Sequence, residues 1–274
     1  MSLGTWLVKK LSNYMLVDTT PSRSYLCDFS RIRHEVRTAD VLLIEGQNRI
    51  SRIVQRVTQS PWSHAALYIG HIHNIDDPKL REFVQQHYKG SLSEQLLVEA
   101  MIGEGTIIVP ISKYKDDHIR VCRPTGLSHL DAQKIIAYAI NSIGRSYSIR
   151  HFFDLGRFLL SSKLIPRQWH SSLFKNSAGK AKRDICSVMI AKAFASVKFP
   201  ILPVIRENHD RQLEMIRRNP KLYAPSDFDY SPYFDIIKYP MMPVTGFSAY
   251  RHLPWQEDLV SNDDRGMTSS DTED

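Results

Sequence analysis

Arg183-Asp184-Ile185-Cys186-Ser187-Val188-Met189-Ile190-Ala191-Lys192-Ala193-Phe194 carries a cysteine at what its spacing predicts as the first turn of a buried helix. Ile185, Val188, Met189, Ala191 and Ala195 recur at intervals of three and four and so share one apolar face. Asp184, just ahead of them, has a side chain suited to accept hydrogen bonds from the free amides of a helix start. Cys186 then lies over the positive end of the helix dipole, where unpaired amides favour the nucleophilic thiolate. Taken alone, the cysteine reads more readily as a small core residue, because free cysteine is among the most buried residue types. Partners elsewhere in the chain decide between the two.

Composition narrows the field. The chain has 274 residues, 42% of them hydrophobic, enough for a sizeable core. Its three cysteines, Cys27, Cys122 and Cys186, lack the close pairs of a zinc site and the density of a disulfide scaffold. They predict a reducing compartment, with no metal and no cofactor. The start, Met1 to Lys10, lacks the order of a secretory signal, and no stretch approaches the length of a membrane span. The expectation is a cytoplasmic protein, with membrane association left open. The net charge of +7 suits an anionic surface, but the basic residues are scattered and form no nucleic-acid module, so no nucleic-acid partner is expected.

Read in order, residues 1–37 begin with Leu3, Trp6, Leu7, Leu11, Tyr14 and Met15 at helical spacing, an amphipathic helix that docks on the core or lies on a membrane surface. Ser22 to Arg37 reads as polar and irregular. Ala39 to Gly46 reads as a strand, and Ile50, Ile53, Val54 and Val57 mark a short helix that Pro61 bars from continuing. Trp62 to Gly70 is a second strand with His64, Ala66 and Tyr68 on one face. Residues 71–94 form a polar insertion with helical character from Leu80 to Tyr88. Leu96 to Met101, Thr106 to Pro110 and Ile119 to Arg123 are further strands, and short strands joined by turns favour an antiparallel sheet.

Asp131 to Ile143 carries a helical apolar face, with Ser128 a candidate cap and Gly144 a stop. Residues 150–182 form a second insertion, rich in aromatic and aliphatic residues from Phe152 to Leu160, either a core helix or a cover over an apolar groove. Glu207 to Asn219 reads as another amphipathic helix. Pro225 to Lys238 reads as a short turn packed on the main body and then an edge strand. Acidic residues mixed with Ser, Thr and Gly make 262–274 a disordered tail. The main domain is then 38–261.

Thiol catalysis needs a low-pKa nucleophile, a histidine to hold and return its proton, and a polar group to orient that histidine. Cys186, His64 and Glu99 fit those roles by placement. Glu99 is a carboxylate inside an apolar strand, costly unless paired or near the surface. Alternation alone leaves it equally a solvent-facing residue of an edge strand.

The ordered set Asp40-Val41-Leu42-Leu43, Trp62 to Gly70, Val98-Glu99-Ala100 and Ile185-Cys186-Ser187 resembles the permuted papain-like cysteine amidases, the YiiX and YaeF-like branch of the NlpC-type superfamily. Pro225-Ser226-Asp227-Phe228 and Ser231-Pro232-Tyr233-Phe234 resemble the segment after the cysteine helix in bacterial members. The resemblance implies an α+β, circularly permuted papain-like fold, its antiparallel sheet packed on the cysteine helix and interrupted by helical insertions. It implies Cys186 as nucleophile, His64 as general base and acid, and Glu99 as the orienting group, with His71 and His73 as competitors for that third place. The oxyanion would be held by the Cys186 amide and a second donor, with Tyr68 and Trp62 as candidates. The implied activity is hydrolysis of amide bonds, peptide-like or N-acyl amino acid, through an acyl-thioester. Lipid acyl transfer or phospholipase action of the lecithin:retinol acyltransferase type, and a non-catalytic binding module, remain alternatives. The substrate is accordingly a small molecule, peptide or lipid-like acyl compound, peripheral membrane contact stays open, and the sequence is silent on oligomeric state.

Overall fold

A computed structural model of the chain describes residues 26–101, 104–145, 186–207, 211–255, 259–261 and 268–270. The N-terminal helix expected within 1–37, the whole of the 150–182 insertion and the proposed Asp184 cap fall outside the described residues. The architecture is α+β, built on one antiparallel sheet of six strands. These are β1 (Val41–Glu45), β2 (His64–Gly70), β3 (Leu96–Met101), β4 (Gly105–Pro110), β5 (His118–Pro124) and β8 (Phe234–Ile237). They lie in the order β4-β3-β2-β1-β5-β8. β1 is flanked by β2 and β5, with Leu43 opposite both Ala65 and Arg120, and β8 closes the edge beside β5.

The central strands bury both faces, which is why they read as continuous apolar runs rather than alternating ones. One face (Val41, Leu43, Ala65, Leu67, Ile69, Val98) packs on the helices α3 (Pro78–His87), α4 (His129–Ile140) and α5 (Cys186–Ser196). The other face (Leu42, Ile44, Ala66, Tyr68, Leu97) is covered by Ile32 from the helix α1 (Phe29–Glu35), by Val36 at its C-cap, and by Ile111 and Tyr114 from a 3-10 turn at Ile111–Tyr114. A separate helix, α2 (Arg49–Thr58), links β1 to β2; its N-terminus is capped by Asn48, and Gln59 in the left-handed region ends it ahead of Pro61.

Helix α5 is buried around most of its circumference, beyond the single apolar face that its spacing predicts. Cys186, Ser187, Val188, Met189, Ile190, Ala191, Ala193 and Phe194 are all buried, because the helix lies between the sheet and α4. Its one buried hydroxyl, on Ser187, donates to the Tyr223 carbonyl at 2.5 Å, so no polar cost is left unmet there. Ser128 caps α4 as expected, accepting from the Asp131 amide. The short helix α6 (Ser226–Tyr230) and edge strand β8 match the turn and strand read from residues 225–238.

Two expectations are corrected. Residues 22–37 are not irregular throughout: Asp28 accepts a hydrogen bond from the Arg31 amide and starts α1, which a polar composition hides because Ile32 is its one buried residue. Glu207 to Asn219 is not a helix. Val204–Glu207 (β6) and Leu213–Ile216 (β7) pair as an antiparallel hairpin, with Ile205 opposite Met215. Leu213 and Ile216 have helical spacing, but Leu213 and Met215 also alternate as in a strand, and the partner strand before them decides the outcome. Near the C-terminus, Leu259–Ser261 (β9) pairs with Thr268–Ser270 (β10), within and beside the stretch read as an acidic tail.

Candidate active site

The site forms at the end of the sheet where β2 begins. His64 opens β2, and alternation sends its side chain to the face of Ala66 and Tyr68. Tyr68 pairs with Leu97 and Leu67 with Val98. Continuing that antiparallel register sets Glu99 opposite Ala66, a diagonal neighbour of His64 on the same face. The His64 Nε2 lies 2.8 Å from the Glu99 Oε2, while Glu99 is completely buried and His64 keeps 16% of its side chain exposed. β3 is an interior strand, which removes the solvent-facing alternative for Glu99.

Cys186 approaches from the other face of the sheet, at the first residue of α5. Its thiol is hydrogen-bonded to the His64 ring and to the backbone amides of Ala65 and Ser187. With Nε2 engaged by Glu99, Nδ1 is the ring nitrogen left for the sulfur. Helix α5 brings the thiol to the first residues of β2 because its apolar side chains share one core cluster with Ala65 and Leu67.

Electrostatics turn these contacts into an ion pair. Burial alone would raise the Cys186 thiol, but the His64 charge and hydrogen bond, helped by the two amides, bring it below its ordinary value. Burial pulls His64 the other way, and the charges and hydrogen bonds of Cys186 and Glu99 overcome it, pushing the ring up to about 10. Burial would also raise Glu99, yet His64 and Lys113 hold it down to about 2. These directions together favour the thiolate, imidazolium and carboxylate forms. The other two thiols contrast with it: burial pushes Cys27 and Cys122 up.

Two residues that sequence reading did not single out complete the surroundings of Glu99. Lys113 donates to its Oε1 and Tyr114 to its Oε2. Both come from the 3-10 turn after β4, a turn with no hydrophobic period to mark it, so nothing in the sequence ties them to a carboxylate on the neighbouring strand. Burial, and next the Glu99 charge, push the Tyr114 phenol well above its ordinary value, so it stays a donor.

The side chains considered as oxyanion donors are engaged elsewhere. The Tyr68 hydroxyl accepts from Gln95 Nε2 at 2.8 Å. The Trp62 indole N–H donates to Asp229 at 3.1 Å, with the Arg120 guanidinium stacked 4.6 Å over the ring. His71 and His73 stack on each other at 5.0 Å beyond Gly70, at the opposite end of β2 from His64, so neither competes with Glu99. Among the described residues, no group of three or more His, Cys, Asp or Glu is placed to hold a metal ion, and no helix is long and apolar enough to cross a membrane.

No family model matches the chain, and no curated protein matches it. Among solved structures, it is similar to the metalloprotein YiiX from Escherichia coli O157:H7 (DUF1105), with 14% identity, a TM-score of 0.44, and coverage of 74% of this chain and 97% of that one.

Proposed function

We propose that the chain is a cysteine-dependent hydrolase of amide bonds, of peptide-like or N-acyl amino acid type, on a circularly permuted papain-like fold. The observation that carries this reading is His64 bridging Cys186 and Glu99, a nucleophile, a proton carrier and an orienting carboxylate in one hydrogen-bonded line. In the proposed reaction the Cys186 thiolate attacks the carbonyl carbon, and the carbonyl π electrons move onto oxygen. The Cys186 backbone amide, at the first turn of α5 where amides lack an intrahelical partner, is the proposed oxyanion donor. Collapse of the tetrahedral species breaks the C–N bond as the His64 imidazolium delivers its proton to the leaving amine. The neutral ring then takes a proton from water, whose hydroxide attacks the acyl-thioester. Release of the acid restores the thiolate and imidazolium.

Peptide-resolved alkylation by iodoacetamide tests the nucleophile without a substrate. At about pH 6, Cys186 should react at least about tenfold faster than Cys27 or Cys122, because only its thiol is lowered. A Cys186 profile that simply tracks an ordinary thiol, rising only toward its ordinary value of 9.0, would rule out the enzyme reading.

A second reading, lipid acyl transfer or phospholipase action, is favoured by one surface. Ile205, Leu213 and Met215 share one face of the β6–β7 hairpin and are each more than half exposed, on a chain of net charge +7. The lipid reading expects the protein to sediment with phosphatidylserine-containing vesicles and to lose that binding when Ile205→Glu and Met215→Glu are combined. Protein that stays in the supernatant removes the lipid reading.

A further inference from the structure

We propose that Lys113 and Tyr114 are positioning residues that weaken the hold of Glu99 on the His64 proton, keeping the imidazolium acidic enough to serve a leaving group. The inference rests on the hydrolase reading and concerns the same site. Lys113 Nζ donates to Glu99 Oε1, while Tyr114 Oη donates to Oε2, the oxygen that also holds His64 Nε2 at 2.8 Å. Glu99 is completely buried, so its lone pairs are reached by protein rather than solvent.

The groups facing this line come from four elements. They are Cys186 at the start of α5, His64 on β2, Glu99 on β3, and Lys113 with Tyr114 in the 3-10 turn, and Asp117 just past that turn acts on the phenol. Charges along Lys113, Glu99, His64 and Cys186 alternate in sign. A buried carboxylate and a thiolate together push His64 up to about 10, whereas a general acid works best with a pKa near the working pH. Each donor that draws on Glu99 makes it a poorer acceptor for the imidazolium, and the ammonium adds direct repulsion. The ring stays oriented but releases its proton more readily.

His64 is raised above its ordinary 6.5, so its protonated form is complete below that value and is lost as pH rises through the folded value near 10. Taking away Lys113 should move that upper transition further up. The experiment follows Cys186 alkylation against pH, by peptide mass spectrometry, in the wild-type chain, Lys113→Met, Lys113→Arg and Tyr114→Phe. The expected result is an upper transition raised by about half a unit or more in Lys113→Met, raised in the same direction in Tyr114→Phe, and restored in Lys113→Arg. A structural role alone would lower the folded fraction and leave the profile of the folded protein where it was. An unmoved upper transition in folded Lys113→Met and Tyr114→Phe overturns the inference. A wild-type Cys186 that behaves as an ordinary thiol overturns the hydrolase reading instead, so the two failures are distinct. Should Lys113→Met fail to fold, Lys113→Gln, which keeps a donor but no charge, gives the same comparison.

Discussion

Replacing His64 by Ala should slow alkylation of Cys186 at about pH 6 by about 100-fold. The thiol lies in a site where burial raises its pKa, and the His64 charge heads the causes that lower it. Without the imidazolium, only the amides of Ala65 and Ser187 remain to oppose burial. The thiol should then return to or above its ordinary value of 9.0, leaving roughly one thiolate in a thousand at that pH. Part of the loss is recovered because a more basic thiolate is intrinsically the better nucleophile, which keeps the expected factor below the full change in thiolate fraction. A His64→Ala chain that keeps its fold and its low-pH reactivity would show that something other than the histidine ionises Cys186. Cys27 and Cys122 serve as internal references, since neither touches His64 in the described structure.

The line from Cys186 to Glu99 was legible in the sequence because each member sits on an element with a clear period. His64 and Glu99 lie on strands whose alternation sets their face, and Cys186 opens a helix between apolar positions of helical spacing. The cost of a carboxylate in Leu96–Met101 called for either a partner or the surface, and alternation alone did not choose between them. The partners Lys113 and Tyr114 were not legible, because a 3-10 turn of Ile111–Tyr114 has no repeating apolar position and meets Glu99 only through the β3–β4 pairing. Tyr68 shares the His64 face, but two steps of alternation carry it along the strand to Gln95.

The segment 207–219 failed for a different reason. Its apolar residues satisfy both a helical and an alternating count, and the choice was made by Val204–Glu207, a strand too short to stand out by itself. Helix α1 was hidden by the opposite problem, a polar surface helix held to the sheet by few apolar contacts. In both places the missing information was a tertiary partner rather than a local preference.

Truncating Glu99 to Ala should cost about 3 kcal/mol of unfolding free energy, because it strands several buried partners at once. The carboxylate is fully buried and accepts from His64, Lys113 and Tyr114. Lys113 keeps 32% of its side chain exposed and can turn to water, so the larger part of the loss falls on Tyr114, which is 7% exposed, and on the imidazolium. Glu99→Gln should cost less, since an amide fills the same space and its oxygen still accepts from the phenol, but it removes the charge that holds His64 and Lys113. The pH dependence separates charge from packing. Glu99 is lowered from 4.5 to about 2 in the folded chain, so its contribution is present above the ordinary carboxyl value and is lost as pH falls through about 2. Urea unfolding at a series of pH values should therefore show the gap between wild type and Glu99→Gln narrowing on acidification from about 4.5 toward 2. A gap that stays constant over that range would mean that Glu99 acts by shape and hydrogen bonding alone, and the charged line from Lys113 to Cys186 would lose its middle member.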